Sequence, residues 1–470
     1  MNNNEKTFLS SRGYGLLKSE FSLELINKIK DELTVQPNII MMNNELPNTY
    51  KIYQESSKKL YVPKYFGLKT FGKPDVNKVK EGLDINIKFN GELRESQNKP
   101  VLNFIKSCND PLKMGGLINL ECGGGKTIIS LYLISVLQKK TLIIVHKDFL
   151  LKQWKERIEQ FLPDAKVGLI KAQTIDIEDK DIVIGSLQSL SMKDYDVYVF
   201  NDFGFVIVDE CHRIASEIFS RALYKINFKY SLGLSATINR KDGLSKVFKW
   251  HLGDIVFKNR KKNNVIVKEQ PNVYIVEYIK DYVSDYNKEE LMFNNKPNMS
   301  RMINNICNYN DRTRYIVDLI LMIKNKDNKR NIIILSDRRE HLRKIKDLVD
   351  NKNNEYIKKS GYYVGGMKEE ELKKTEEECD IILATFSMAA EGLDIPKLNT
   401  LILASPKSDV QQSCGRILRE KPEKRLYIPL IIDIFDNFSL FTNISNKRKK
   451  FYNKEKYNVF SVNYKNFKLN

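Results

Sequence analysis

The chain is poor in the residues that build metal centres and disulfide frameworks. Its six cysteines, at 108, 122, 211, 307, 379 and 414, include no close pair. That spacing excludes a zinc ribbon and a disulfide scaffold, and it suits a reducing, intracellular compartment. Only four histidines are present, too few for a His-based metal site to be expected. No apolar run approaches the roughly 20 residues of a membrane span. The polar start MNNNEKTFLS lacks an apolar signal core, so neither secretion nor a membrane partner is expected.

Positive charge is what the chain has in excess. Its 78 Lys and Arg against 59 Asp and Glu give a net charge of +19. A polyanionic partner is the natural reading, with nucleic acid ahead of membrane. Heavy use of Asn, Lys, Ile and Tyr offers a purely compositional source for the same excess. At 470 residues there is room for two or three domains with well-buried cores.

Along the chain, residues 1–88 mix periodicities and carry no catalytic pattern, which suits a small N-terminal accessory domain. From 89 to 257, short aliphatic runs such as GLINL, TLIIVH, IVIG and FVIVDE alternate with helical patterns. Such runs predict strands buried on both faces of a parallel sheet. The helix DFLLKQWKERIEQFL gathers Phe149, Leu150, Trp154, Ile158 and Phe161 on one face, which reads as core. Over 258–310 a Lys- and Asn-rich connector is expected that forms part of a second domain, with one alternating stretch, NVYIVEYI. Alternation resumes over 311–440 with NIIILS, DIILATF and TLILAS, and 441–470 reads as a basic, aromatic tail, either a nucleic-acid contact or a helix whose aromatics pack on the second unit while its lysines are solvated. The expected fold is therefore α/β, with two successive parallel-sheet units.

The stretch NLECGGGKTIIS places Gly123, Gly124 and Gly125 before Lys126 and Thr127. Taken alone it is either a flexible turn or a phosphate cradle. Glycines between a strand and a helix N-terminus would let backbone N–H groups surround the phosphates of ATP. Lys126 would then supply a point charge and Thr127 a hydroxyl ligand for Mg²⁺. The usual first glycine, however, is Leu120 here. Downstream, VIVDECH sets two adjacent carboxylates at a strand end. Asp209 would hold Mg²⁺ through its water shell, and Glu210 would orient and deprotonate the attacking water.

With DECH the chain resembles the superfamily 2 helicases and translocases, whose second motif reads D-E-x-H. LRESQ, with Arg94 and Gln97, is similar to the element that reads the adenine edge in that family. SAT, from Ser235 to Thr237, stands at the motif coupling hydrolysis to strand movement, with His212 as its partner in coupling. ATFSMAAEGLDIP resembles the fifth motif, which implies a nucleic-acid phosphate contact for Thr385 and a nucleotide contact for Gly392 and Asp394. QQSCGRILR fits the sixth, with Gln412, Gly415, Arg416 and Arg419. The resemblance spans 93–419 and answers the question about the glycines in favour of phosphate. It implies two tandem RecA-like domains, with catalytic arginines 416 and 419 completing the site that Lys126 and Glu210 begin.

Within the superfamily, YSLGLSATINRKDGLSKVFKWHLGDIVF looks like the XPB-like branch. That branch includes large-DNA-virus helicases related to the poxvirus transcript-release factor. It implies an ATP- and Mg²⁺-dependent motor on nucleic acid, duplex DNA favoured over RNA, with RNA polymerase or transcription factors as company. A viral owner would place it in the host cytoplasm and the virion. Arg240-Lys241-Asp242 stands where XPB carries an R-E-D wedge, with Lys for Glu. An ATPase that remodels a transcription complex without separating strands is the first rival, and an inactive clamp the second.

Overall fold

The computed structural model describes residues 5–38, 48–120, 124–238, 240, 242–259, 270–279, 283–352, 354–391, 393, 395–420 and 425–469, with backbone only for Phe219, Ala390 and Glu391. The chain divides into two units, Met1–Lys261 and Lys262–Asn470.

In the first unit, seven short strands come early: β1 (Thr7–Ser10), β2 (Gly13–Leu17), β3 (Thr34–Val35), β4 (Tyr50–Lys51), β5 (Gln54–Glu55), β6 (Lys59–Val62) and β7 (Val76–Asn77). They form a five-stranded sheet of order β5-β6-β2-β1-β7 and a separate β3-β4 pair. Among the described residues, this early region shares its core with the rest of the unit. Leu9, Tyr14 and Leu16 share one buried cluster with Leu117, Val206 and Phe248. Lys64 is buried under the same seam, its ammonium donating to the carbonyls of Phe228 (3.2 Å) and Lys229 (2.7 Å). Burial lowers its pKa to about 7.

The main sheet of this unit uses β8 (Gly115–Asn119), β9 (Thr141–Val145), β10 (Val167–Lys171), β11 (Thr174–Asp176), β12 (Ile182–Ser186), β13 (Phe205–Val208), β14 (Tyr230–Ser235) and β15 (Ile255–Lys258). Their order is β11-β10-β12-β9-β13-β14-β8-β15, parallel throughout except at β10-β11. Aliphatic runs suit it because β9 and β13 are buried along their whole length. Parallel order puts the C-terminal ends of β8, β13 and β14 side by side, the usual place for a ligand in such sheets.

The second unit holds β16 (Asn272–Tyr278), β17 (Ile332–Ser336), β18 (Ser360–Tyr363), β19 (Ile381–Thr385), β20 (Thr400–Leu403), β21 (Leu430–Asp436) and β22 (Asn458–Asn463). All pairs in its order β18-β19-β17-β20-β21-β16-β22 are parallel. The fold is thus mixed α/β with two parallel-sheet domains, consistent with tandem RecA-like units.

The stretch read as a connector forming part of a second domain supplies β16, an inner strand of the second sheet. It also supplies Tyr286, whose buried hydroxyl donates to Asp436 Oδ1 at 2.7 Å. Of the two readings of 441–470, the packed helix is the one found. Most of helix Ser439–Lys454 and all of β22 lie in this stretch, and both pack into the second unit. Arg448 is 1% exposed and paired with Asp433. Its charge is spent inside the protein.

Candidate active site

The phosphate-loop candidate follows β8, which ends at Asn119, and the described residues resume at Gly124. Gly123 and Cys122 lie outside the described residues. Gly125 caps helix Lys126–Leu137 in the left-handed region, with φ 79° and ψ 29°. A Cβ there would stand 2.0 Å from the Gln97 amide nitrogen, so both conformation and space demand glycine. Gly125 gives this helix no side-chain cap, and among the described residues its first-turn N–H groups face the place an anion would take.

Gln97, expected to read adenine, is also engaged within the protein. It is 2% exposed, its Oε1 accepts from Arg94 N (2.8 Å), and its Nε2 donates to Gly125 O (3.4 Å). Both ends of the amide are used, so here it ties the N-terminus of helix Glu95–Cys108 to the phosphate loop. Arg94 is exposed at that N-terminus.

At the end of β13 the chain turns at once, and Glu210 sits in the left-handed region at φ 47°. A non-glycine residue held there is strained, as residues at working sites often are. The turn aims its carboxylate at two partners. Lys126 Nζ lies 3.1 Å from Oε1, and His212 Nδ1 lies 3.3 Å from Oε2. The same His212 nitrogen is 3.0 Å from Ser235 Oγ, which in turn donates to Thr237 O at 2.8 Å. Lys126, Glu210, His212, Ser235 and Thr237 thus form one continuous polar chain. Thr237 is exposed at its far end, while Thr127 is half-buried beside Lys126.

The two neighbouring carboxylates are unlike. Burial works against the charge on Glu210, but the Lys126 ammonium and His212 outweigh it and hold its pKa down to about 2. Burial, reinforced by the charge on Glu210, pushes Asp209 upward. A divalent cation beside Asp209 would keep it ionised. Its carboxylate and the Thr127 hydroxyl are hard oxygen donors, few enough to leave water in the shell, which fits Mg²⁺.

Trp154, expected as core, holds Asp209 in place. It is 2% exposed, and its indole N–H donates to Asp209 Oδ2 at 3.0 Å, while Glu210 N donates to Oδ1 at 2.9 Å. The only hint in sequence is that Trp154 alone on its apolar face carries a donor. Trp154→Phe keeps the bulk and deletes that donor. Activity or Mg²⁺ affinity is expected to fall about 10- to 100-fold, as when a ligand's supporting bond is lost. A Mg²⁺ titration of ATPase identical to the parent's would return Trp154 to a packing role.

The remaining expected residues lie in the second unit. Thr385 ends β19, half-buried, its hydroxyl 3.3 Å from Ser387 Oγ. Gly392 and Asp394 lie outside the described residues, and so does Lys241. Gln412 and Arg416 fall on helix Gln411–Arg416, and Arg419 comes just after it, half-buried. Arg416, expected as catalytic, is engaged within the second unit here. It is 6% exposed, with Nε donating to Ala389 O (2.6 Å) and Nη1 to Leu393 O (2.7 Å). A guanidinium buried on these carbonyls ties helix Gln411–Arg416 to the segment that carries the fifth motif. Arg240 also differs from a wedge, since its guanidinium is bound to Asp242 and to His212 O.

Residues 90–240 match the family described as type III restriction enzyme, res subunit, and residues 311–421 match the helicase conserved C-terminal domain. A protein of Acanthamoeba polyphaga mimivirus, named as an ATP-dependent RNA helicase, is 35% identical over 98% of this chain and 87% of its own length. One of Invertebrate iridescent virus 6, named as a helicase, is 25% identical over 93% and 96%. Another, from African swine fever virus and named as an ATP-dependent RNA helicase, is 24% identical over 73% and 69%. The chain belongs to the superfamily 2 helicases, is similar to helicases of large DNA viruses, and is an ATP-hydrolysing enzyme that depends on nucleic acid.

Proposed function

We propose that the chain is a motor that moves along duplex nucleic acid, duplex DNA first, in the setting of transcription in a large DNA virus. The observation that carries this reading is the polar chain from Lys126 through Glu210 and His212 to Ser235 and Thr237. One end is where ATP would react. The other is the motif that the resemblance ties to strand movement. A change in the partner of Glu210 is therefore passed toward Thr237 through ion-pair contacts at Glu210 and hydrogen bonds from His212 onward.

The residues divide the work. The N-terminus of helix Lys126–Leu137 and Lys126 bind the phosphates, and Asp209 and Thr127 would hold Mg²⁺. When bound, Mg²⁺ neutralises charge on the β- and γ-phosphate oxygens. Glu210 orients water and takes its proton. Lys126 cannot serve phosphate and Glu210 equally, so phosphate binding loosens the carboxylate that the reaction needs. Arg419 is the arginine we assign to stabilising charge on the transferred phosphoryl group.

Membership of the XPB-like branch belongs to this proposal and rests on the stretch after Tyr230. So does an RNA polymerase or its factors as partner. The bound state of Arg240 favours movement on a duplex over a separating wedge at that site. RNA is the second reading, favoured by the names of two relatives. ATPase measured with duplex DNA, single-stranded DNA and RNA decides between them, with strand displacement then measured on the best activator. Duplex DNA is expected to stimulate most. Stimulation by RNA alone overturns the DNA assignment, and stimulation without displacement identifies a translocase or remodeller.

A further inference from the structure

The five-stranded N-terminal sheet turns one face to the core, and on the other its aromatics, Phe8 and Tyr61, are buried apart from that core. Alternation sends Leu9, Tyr14, Leu16, Leu60 and Val62 into the first unit's core. The pairing register builds the opposite face as a row: Val76, Phe8, Gly15, Tyr61 and Gln54, each opposite the next. Phe8 meets Tyr61 edge-on at 5.9 Å. A Cβ on Gly15 would stand 2.1 Å from the Phe8 ring, so the glycine is what lets that ring lie across the strand.

Three cations rest on this aromatic floor. The Arg12 guanidinium is 4.3 Å from the Tyr61 centroid and donates to Gln54 Oε1 at 2.9 Å. The Lys59 and Lys78 ammonium groups are 5.1 and 5.2 Å from the Phe8 centroid. Ring contact fixes where the charges sit. None of the three has a carboxylate partner among the described residues. The nearby acids fall on the other parity and are already engaged. Glu55 pairs with Lys18 (2.7 Å) and Lys30 (2.6 Å), and Asp75 accepts from Lys6 N, Thr7 N and Thr7 Oγ1.

We infer that this face is a second nucleic-acid surface, at which Arg12, Lys59 and Lys78 hold the phosphodiester backbone. Because the rings lie beneath the cations, contact is with phosphates and not bases, so the surface grips without reading sequence. The inference rests on the nucleic-acid reading above and adds a site outside both matched family segments.

The test is the full-length R12Q/K59Q/K78Q variant, which removes charge and keeps much of each side-chain stem. Duplex DNA binding by anisotropy across a salt series is expected to show a slope of log affinity against log salt shallower by about 2 to 3, roughly 0.9 per phosphate contact. ATPase without nucleic acid stays at the parent level, while more DNA is needed for half-maximal stimulation. R12K/K59R/K78R restores the slope. If the triple variant does not fold, Lys78→Gln alone is expected to lower the slope by about 1. An unchanged slope in a folded variant overturns the inference, as does a loss of binding seen only with anionic lipid vesicles. If no nucleic acid stimulates the parent ATPase, the functional reading fails. Stimulation with equal slopes sinks this surface alone.

Discussion

Glu210→Gln is expected to bind ATP about as tightly as the parent chain and to hydrolyse it about 100- to 10,000-fold more slowly, the range for loss of a general base. The amide keeps the shape of the carboxylate and accepts from Lys126 Nζ, 3.1 Å away in the parent. It cannot take the proton of an attacking water. Lys126 also loses a charged partner, so phosphates compete for it against less, and affinity for ATP holds or rises. Nucleotide binding by fluorescence and single-turnover hydrolysis separate the two effects. Turnover within a few-fold of the parent would remove Glu210 from the reaction and leave it a partner of Lys126 and His212. A matched loss of affinity and turnover would mean that the loop depends on the ion pair for its shape.

Much of this site was legible because its residues are contiguous. Lys126 and Thr127 come directly after their glycines, and Asp209 and Glu210 sit where an aliphatic strand must end. The strands carrying them were legible too, since TLIIVH and FVIVDE are buried on both sides and written as unbroken apolar runs. What stayed hidden depends on distant partners. The indole of Trp154 meets Asp209 across 55 positions of sequence, and an apolar helix face gives no sign of that bond. β16 alternates in the sequence as a half-buried strand does. Its neighbours, β21 and β22, come more than 150 residues later, so nothing nearby announces a sheet. β22 is an edge strand with an exposed or half-buried residue at every position. Charge misled most over 441–470, because a lysine-rich helix reads as solvated whether or not one arginine in it is buried.

Cutting the chain after Leu440 is expected to unfold the second unit, not to trim a nucleic-acid contact. The cut removes Arg448, whose guanidinium donates to Asp433 Oδ2 at 2.9 Å and also to the carbonyls of Ile434 and Lys407. It removes Tyr452, whose hydroxyl donates to the same Asp433 oxygen at 2.9 Å. Asp433 lies on β21, 1% exposed, and burial already pushes its pKa up despite Arg448. A buried acid stripped of its cation costs about 3–5 kcal/mol. Phe441, Ile444 and Tyr452 leave the core as well, at about 1.5–3 kcal/mol for each large apolar side chain. β16 also loses β22 along one edge. Together these rival the roughly 5–15 kcal/mol that holds a whole domain folded. Proteolysis and melting of the truncated chain report the outcome directly. Arg448→Met isolates the ion pair and is expected to lower Tm by about 6–20 °C, taking 2–4 °C per kcal/mol for a unit of this size. Adding Asp433→Leu should recover most of that, because two apolar residues leave no orphaned charge. If the truncated chain melts as the parent does, the helix is an appendage and the ion pair is dispensable. The eight Lys and Arg of 441–470 (447–450, 454, 456, 465, 468) would then have to be explained by phosphate contact after all. A truncation that stays folded with an unchanged salt slope would deny them that role too.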